Sequence, residues 1–185
     1  MNARRSRRWL LLLPFLLFPF SVFLFSCQEE KIRTSEEYNG PVTELDNIVM
    51  LYSDSARLVI KMTTPKRLEM PNGEQIFPKE VNLFFYDKFG RETSTLRSDS
   101  GRYYPVQNLF KVKGNVVVNQ KVKNEILKTD ELTWERDTKK IFTAKPVTIT
   151  TPTQQIKGLG LDTDQNFMNY KMRKVTGTVS VQNLP

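Results

Sequence analysis

"LFKVKGNVVVNQ", residues 109 to 120, is the stretch that decides how this chain folds. Phe110 and Val112 alternate with Lys111 and Lys113, which is the period of two that a half-buried strand shows. Val116, Val117 and Val118 then supply a β-branched run that favours extended backbone. Between the two halves stands Gly114. Glycine admits backbone angles closed to other residues, so the pattern reads as strand, corner, strand.

The same phrase returns twice downstream. "IFTAKPVTIT" and "KVTGTVSV" place Pro146 and Gly177 at the position held by Gly114. Proline ends a hydrogen-bonded ladder, so all three residues are expected to mark corners where a strand bends or passes between sheets. A looser echo joins "YSDSARLV" to "LRSDSGRYY", each an Asp-Ser turn leading into a strand. Recurrence of this kind favours a stacked, elongated sheet over a closed barrel.

Further strands are expected at 56–62, 80–87, 92–98, 101–106, 131–136, 140–145, 147–151, 155–161, 167–172 and 177–182. Turns rich in Asn, Asp, Gly and Pro separate them at 71–73, 87–90, 137–139 and 164–166. Only "NIVMLYSDSARL" (47–58) reads equally as a short helix or an entering strand. "GLGL" at 158–161 lacks the third glycine and the Lys-Ser/Thr ending of a phosphate cradle and is expected to be a close strand crossing.

Cys27 is the single cysteine, and histidine is absent. These two facts remove the ordinary zinc sites and the Ser-His and Cys-His nucleophiles. Asp54, Asp99, Asp130, Asp162 and Asp164 stand in turn contexts where an Asx turn accounts for them, so no catalytic residue, metal or cofactor is expected. Position explains Cys27 better than chemistry does. Arg4, Arg5, Arg7 and Arg8 precede an apolar run from Trp9 to Phe25, the order of a secretory signal. The run is short for a membrane span and carries Pro14 and Pro19.

Leu24, Phe25, Ser26 and Cys27 resemble a bacterial lipobox, with Phe25 bulkier than the usual occupant. The expectation is a signal peptide over 1–26, lipid attachment at Cys27 and a polar tether over 27–45 before a domain at 46–185. The competing reading is an uncleaved anchor helix with an incidental cysteine. Both hold the domain at a membrane. The formal charge of +8 comes from 28 Lys and Arg against 20 Asp and Glu. Four of the arginines lie in the signal, which leaves 24 minus 20, or +4, for the remainder. A scattered excess of that size does not point to nucleic acid.

Three segments, "LRSDSGRYYPVQNLFKVKGNVVV", "LKTDELTWERDTKKIFTAKPVTITTPTQQIKG" and "IKGLGLDTDQNFMNYKMRKVTGTVSV", together resemble the LptC family of lipopolysaccharide export proteins and its OstA/LptA-like relatives. The resemblance covers about residues 46 to 183. It implies an all-β fold, an open, twisted antiparallel β-jellyroll with an apolar interior groove. It also implies a periplasmic protein, here expected at the inner membrane, that receives lipopolysaccharide from the LptB/LptF/LptG transporter, shelters its acyl chains and hands it to an LptA-like protein. The departure is the lipobox, where many members keep a transmembrane helix.

Alternation along the strands nominates the groove residues Val81, Leu83, Phe85, Phe110, Val112, Val116, Val118, Leu132, Trp134, Phe142, Val147, Ile149, Leu159, Leu161, Val179 and Val181. The same set would line the core of any β-sandwich. Unpaired edge strands, usable by a like-folded partner, are expected at 56–62 and at Gly177, Thr178, Val179, Ser180, Val181 and Gln182. A non-catalytic binding lipoprotein with a dry sandwich core is the competing function.

Overall fold

The computed structural model describes residues 38–179, with the side chains of Thr178 and Val179 excepted. The expected signal, Cys27, the first part of the tether and the positions Ser180, Val181 and Gln182 lie outside the described residues. Twelve strands are present among those described: β1 Thr43–Asp54, β2 Arg57–Glu69, β3 Gln75–Phe77, β4 Val81–Tyr86, β5 Glu92–Ser98, β6 Ser100–Tyr104, β7 Leu109–Gln120, β8 Glu125–Glu135, β9 Lys140–Thr150, β10 Gln154–Asp164, β11 Tyr170–Met172 and β12 Thr176–Val179. They form one antiparallel sheet. The fold is an all-β jellyroll.

The sheet is folded along a crease, and the long strands cross it. The 117–120 part of β7 pairs with β5 while its 109–113 part pairs with β6, and the break includes Gly114 and Asn115. Those two residues carry φ of 78° and 45°. The corner predicted at Gly114 is therefore real, and the chain continues through it as one strand. β9 bends in the same way around Pro146, between segments 140–143 and 147–150. Pro146 cannot donate to the ladder, and its carbonyl instead accepts a hydrogen bond from the Thr129 hydroxyl at 2.8 Å.

Gly177 does not mark a third corner. It pairs with Ile156 inside β12, and the chain bends earlier, at Arg173 and Lys174. The two arms of the folded sheet keep the same strand order. One arm holds β4, β5 and β12, the other β3, β6 and β11, and β1, β2, β7, β8, β9 and β10 run through both. Buried side chains from both arms merge into one core, with Val81, Val116 and Leu161 at 0 % exposure.

One expected edge is corrected. The expected edge at 56–62 is flanked on both sides, by β1 and by β4. The edge belongs to β1, which begins at Thr43 inside the stretch read as tether, and which settles the ambiguous 47–58 as strand and turn. At the other end β12 pairs with β10 alone among the described strands, as expected of an edge. "GLGL" is the close crossing that was anticipated. A side chain at Gly158 would collide with Met172 Sδ, and one at Gly160 with the Arg173 guanidinium.

Candidate functional site

β1 positions the site. It alternates cleanly, with Ile48, Met50 and Tyr52 half-buried and Val49 and Leu51 exposed. The inward residues cover the opening between the arms at this end. Behind them lies a cavity of about 150 Å³ lined by Met50, Tyr52, Ile60, Met62 and Leu83 of one arm and by Phe77, Tyr103, Phe110, Trp134 and Arg136 of the other. Its wall is apolar apart from Gln75, the Tyr52 and Tyr103 hydroxyls, the Trp134 N–H and Arg136.

Arg136 sits where β8 ends, so its side chain extends from the last residues of a strand rather than from within the core. Its guanidinium lies 4.5 Å from the Tyr52 ring centre, 5.5 Å from Tyr103 and 5.7 Å from Trp134. Tyr52 and Trp134 meet edge to face at 5.4 Å, joining the two arms. Arg136 Nη1 donates to the Tyr103 hydroxyl at 3.3 Å, which donates in turn to Asn108 Oδ1 at 3.0 Å. Arg136 Nε and Trp134 Nε1 are both buried without a hydrogen-bond partner.

The opposite end is shut. Phe167, 4 % exposed and held at φ 57°, inserts from the loop after β10 and meets Phe85 edge to face at 5.5 Å. Asp164 Oδ1 fixes that loop by accepting from the backbone N–H groups of Asn166 and Met168, each at 3.0 Å. The space left beside Phe167 is about 10 Å³, too small to hold a ligand group.

Across the open side of the fold the hairpin tips clasp. Lys139 Nζ lies 2.5 Å from Asp54 Oδ2. The hydrogen bond from Lys139, followed by that from Ser55 and the lysine charge, holds the Asp54 carboxyl below its usual range. The same hydrogen bond and the carboxylate charge raise Lys139. The clasp contributes above the unfolded carboxyl value and is lost as pH falls through the lowered Asp54 value; at the alkaline end it is lost as pH rises through the raised Lys139 value. An NMR titration of the Asp54 carboxyl is expected to give a midpoint below that of the unfolded chain. An identical midpoint would show that the clasp does not form in solution.

The nominated groove residues fall into five groups. Leu83, Phe110 and Trp134 line the cavity, and Val118, Ile149 and Leu161 surround Phe167. Val81, Phe85, Val112, Val116, Leu132 and Val147 are core residues in contact with one another rather than with open space. Phe142 and Leu159 are corrections: they are 37 % and 40 % exposed and face outward. Ile141 takes the inward position beside Phe142, and a bulge at Gly160, φ 81°, puts Leu161 inside while Leu159 stays out. The side chains of Val179 and Val181 lie outside those described. Met50, Tyr52 and Arg136 were missed, the first two because β1 had no settled reading and the last because a terminal arginine carries no periodic signal.

Among the described residues no helix is long and apolar enough to cross a membrane. No curated protein matches the chain. The family model for lipopolysaccharide assembly, LptC-related, matches residues 10–176. A match over that much of the sequence, on a folded antiparallel jellyroll, means that the chain belongs to the LptC family and has a role in lipopolysaccharide transport at the cell envelope.

Proposed function

We propose that this domain is a membrane-anchored bridge, which takes lipopolysaccharide from an inner-membrane LptB/LptF/LptG transporter, shelters acyl chains between its arms and passes the lipid to an LptA-like jellyroll. The observation that carries this reading is the apolar cavity at the β1 end, built from both arms and open beside the edge that β1 forms among the described residues. Burying apolar surface gains roughly 25 cal/mol per Å², so such a space holds hydrocarbon without polar contacts. Its 150 Å³ matches the size of cavity that accepts a benzene-sized body, room for a short stretch of an acyl chain. A longer chain requires the arms to part.

What joins the arms on the open side fits that requirement. The Asp54 and Lys139 clasp is an exposed ion pair, which contributes little and re-forms easily. Among the described residues β1 pairs with β2 alone and β12 with β10 alone, and such edges suit strand addition by jellyroll neighbours at both ends, main-chain hydrogen bonds supplying the affinity. Acylation at Cys27 would anchor the protein in the periplasm on the inner membrane, each buried methylene adding about 0.8 kcal/mol. The packing at Val116 and Val118 favours a second reading, a binding lipoprotein whose core stays dry.

A photo-crosslinking residue at Met62, in the cavity wall, and another at Lys61, its outward neighbour in β2, separate the two. Lipopolysaccharide adducts in living cells are expected at Met62 and not at Lys61. A folded, anchored protein with no adduct at Met62 would rule out the sheltering role and leave the dry-core reading.

A further inference from the structure

We propose that Arg136 and Trp134 form an anion subsite at the mouth of the cavity, one that takes the phosphate monoester of an acyl lipid whose chain lies in the apolar part. The inference rests on the lipid-sheltering reading and adds to it a recognised headgroup and the residues that select it.

Two unmade hydrogen bonds carry the argument. Arg136 and Trp134 line one cavity, and Arg136 Nε and Trp134 Nε1 are buried without an acceptor. A buried donor left without a partner is costly, and native proteins keep few of them, so two in one small site call for a missing acceptor. Both groups only donate, since neither the guanidinium nor the indole N–H accepts. What satisfies them is therefore rich in oxygen and poor in protons. The charge narrows it further: among the described residues no carboxylate stands within ion-pair distance of Arg136, and its guanidinium meets ring faces and the Tyr103 hydroxyl instead.

The aromatic setting prepares the guanidinium for this task. Stacking against Tyr52 and hydrogen bonding to Tyr103 hold the planar fork in place, which reduces the entropy lost when it meets a tetrahedral anion. Arginine binds phosphate through paired N–H groups where lysine offers a point charge. Because the same residue borders apolar wall, the site fits an anion joined to hydrocarbon better than either part alone.

The test uses the full chain carrying Trp9→Phe, which leaves Trp134 as its single tryptophan, in a neutral detergent and follows Trp134 emission while dodecyl phosphate, dodecanol or inorganic phosphate is added. Dodecyl phosphate is expected to reach half-saturation at about one tenth of the dodecanol concentration, and inorganic phosphate alone to leave the emission unchanged at millimolar concentration. Arg136→Gln is expected to bring the two dodecyl probes within about twofold of each other while still binding both, and Arg136→Lys to keep part of the difference. Equal binding of the two probes by the unsubstituted protein would overturn the anion subsite and leave lipid sheltering intact. Binding of neither would overturn both. Saturation by inorganic phosphate alone would overturn the lipid headgroup as the source of the anion.

Discussion

Truncating Phe85 to alanine is expected to lower the unfolding free energy by about 3–5 kcal/mol, the range for removing a buried aromatic. Phe85 is 2 % exposed and lies in β4 on one arm, while its partner Phe167 comes from the loop that follows β10 on the other. The edge-to-face pair adds about 0.5–1.5 kcal/mol beyond area alone. The loss therefore includes a tie between the arms at the shut end. Phe89→Ala is the control: its ring is 69 % exposed in the turn between β4 and β5, and truncation there is expected to stay within about 0.5 kcal/mol. Denaturant unfolding of both variants measures the contrast through the midpoint at constant slope. A cost below about 1 kcal/mol for Phe85→Ala would mean that this end is loosely filled, and would place open groove where we describe packed frame.

That contrast divides the interior by role. The half around Val116, Val118, Phe85 and Leu161 is close-packed and fixes how the arms meet. The half beside β1 is held by Tyr52, Trp134 and Arg136, and there the packing is incomplete. A groove filled throughout could not admit lipid, and one empty throughout could not hold its shape. Room at one end, with a frame at the other, allows both.

Most of the strands and their corners were legible because alternation and turn chemistry are local. Gly114 and Pro146 showed in the sequence the crease that their strands cross. What failed was whatever depended on register over a distance. Leu159 and Leu161 share a face in any regular strand, and only the bulge at Gly160 separates them. Phe142 and Ile141 are adjacent apolar residues, so one had to face out, and the sequence does not say which. Strand β1 was hidden because its outward residues, Val49 and Leu51, are as apolar as its inward ones, which erases the alternation. Without β1 the edge was assigned one strand too far in. The cavity was illegible for the same reason, since the two arms that line it meet only after the sheet folds.

Gly114→Ala is expected to destabilise by about 2–5 kcal/mol, and a matched control shows why. Gly114 and Gly90 have nearly the same φ, 78° and 77°. Alanine in this left-handed region costs about 1–2 kcal/mol wherever it occurs. At Gly90 nothing lies within 4 Å of the added Cβ, so that strain is the whole expected effect. At Gly114 the new atom would meet Asp99 Oδ2 at 2.7 Å and Asp99 Cβ at 3.0 Å. The carboxylate is not free to swing away. It accepts from Asn115 Nδ2 at 2.6 Å and pairs with Arg97, and the Asp99 N–H donates to the Gly114 carbonyl at 2.9 Å. The corner between β5 and β6 is thus laid directly on the corner of β7, and crowding there adds about 1–3 kcal/mol as overpacking does elsewhere. Measured side by side, Gly114→Ala should cost clearly more than Gly90→Ala, and in a double-mutant cycle Asp99→Ala should remove part of the difference. Equal costs at the two glycines would mean that the corners do not touch, and the crease would then owe its position to Pro146 and the bulges alone.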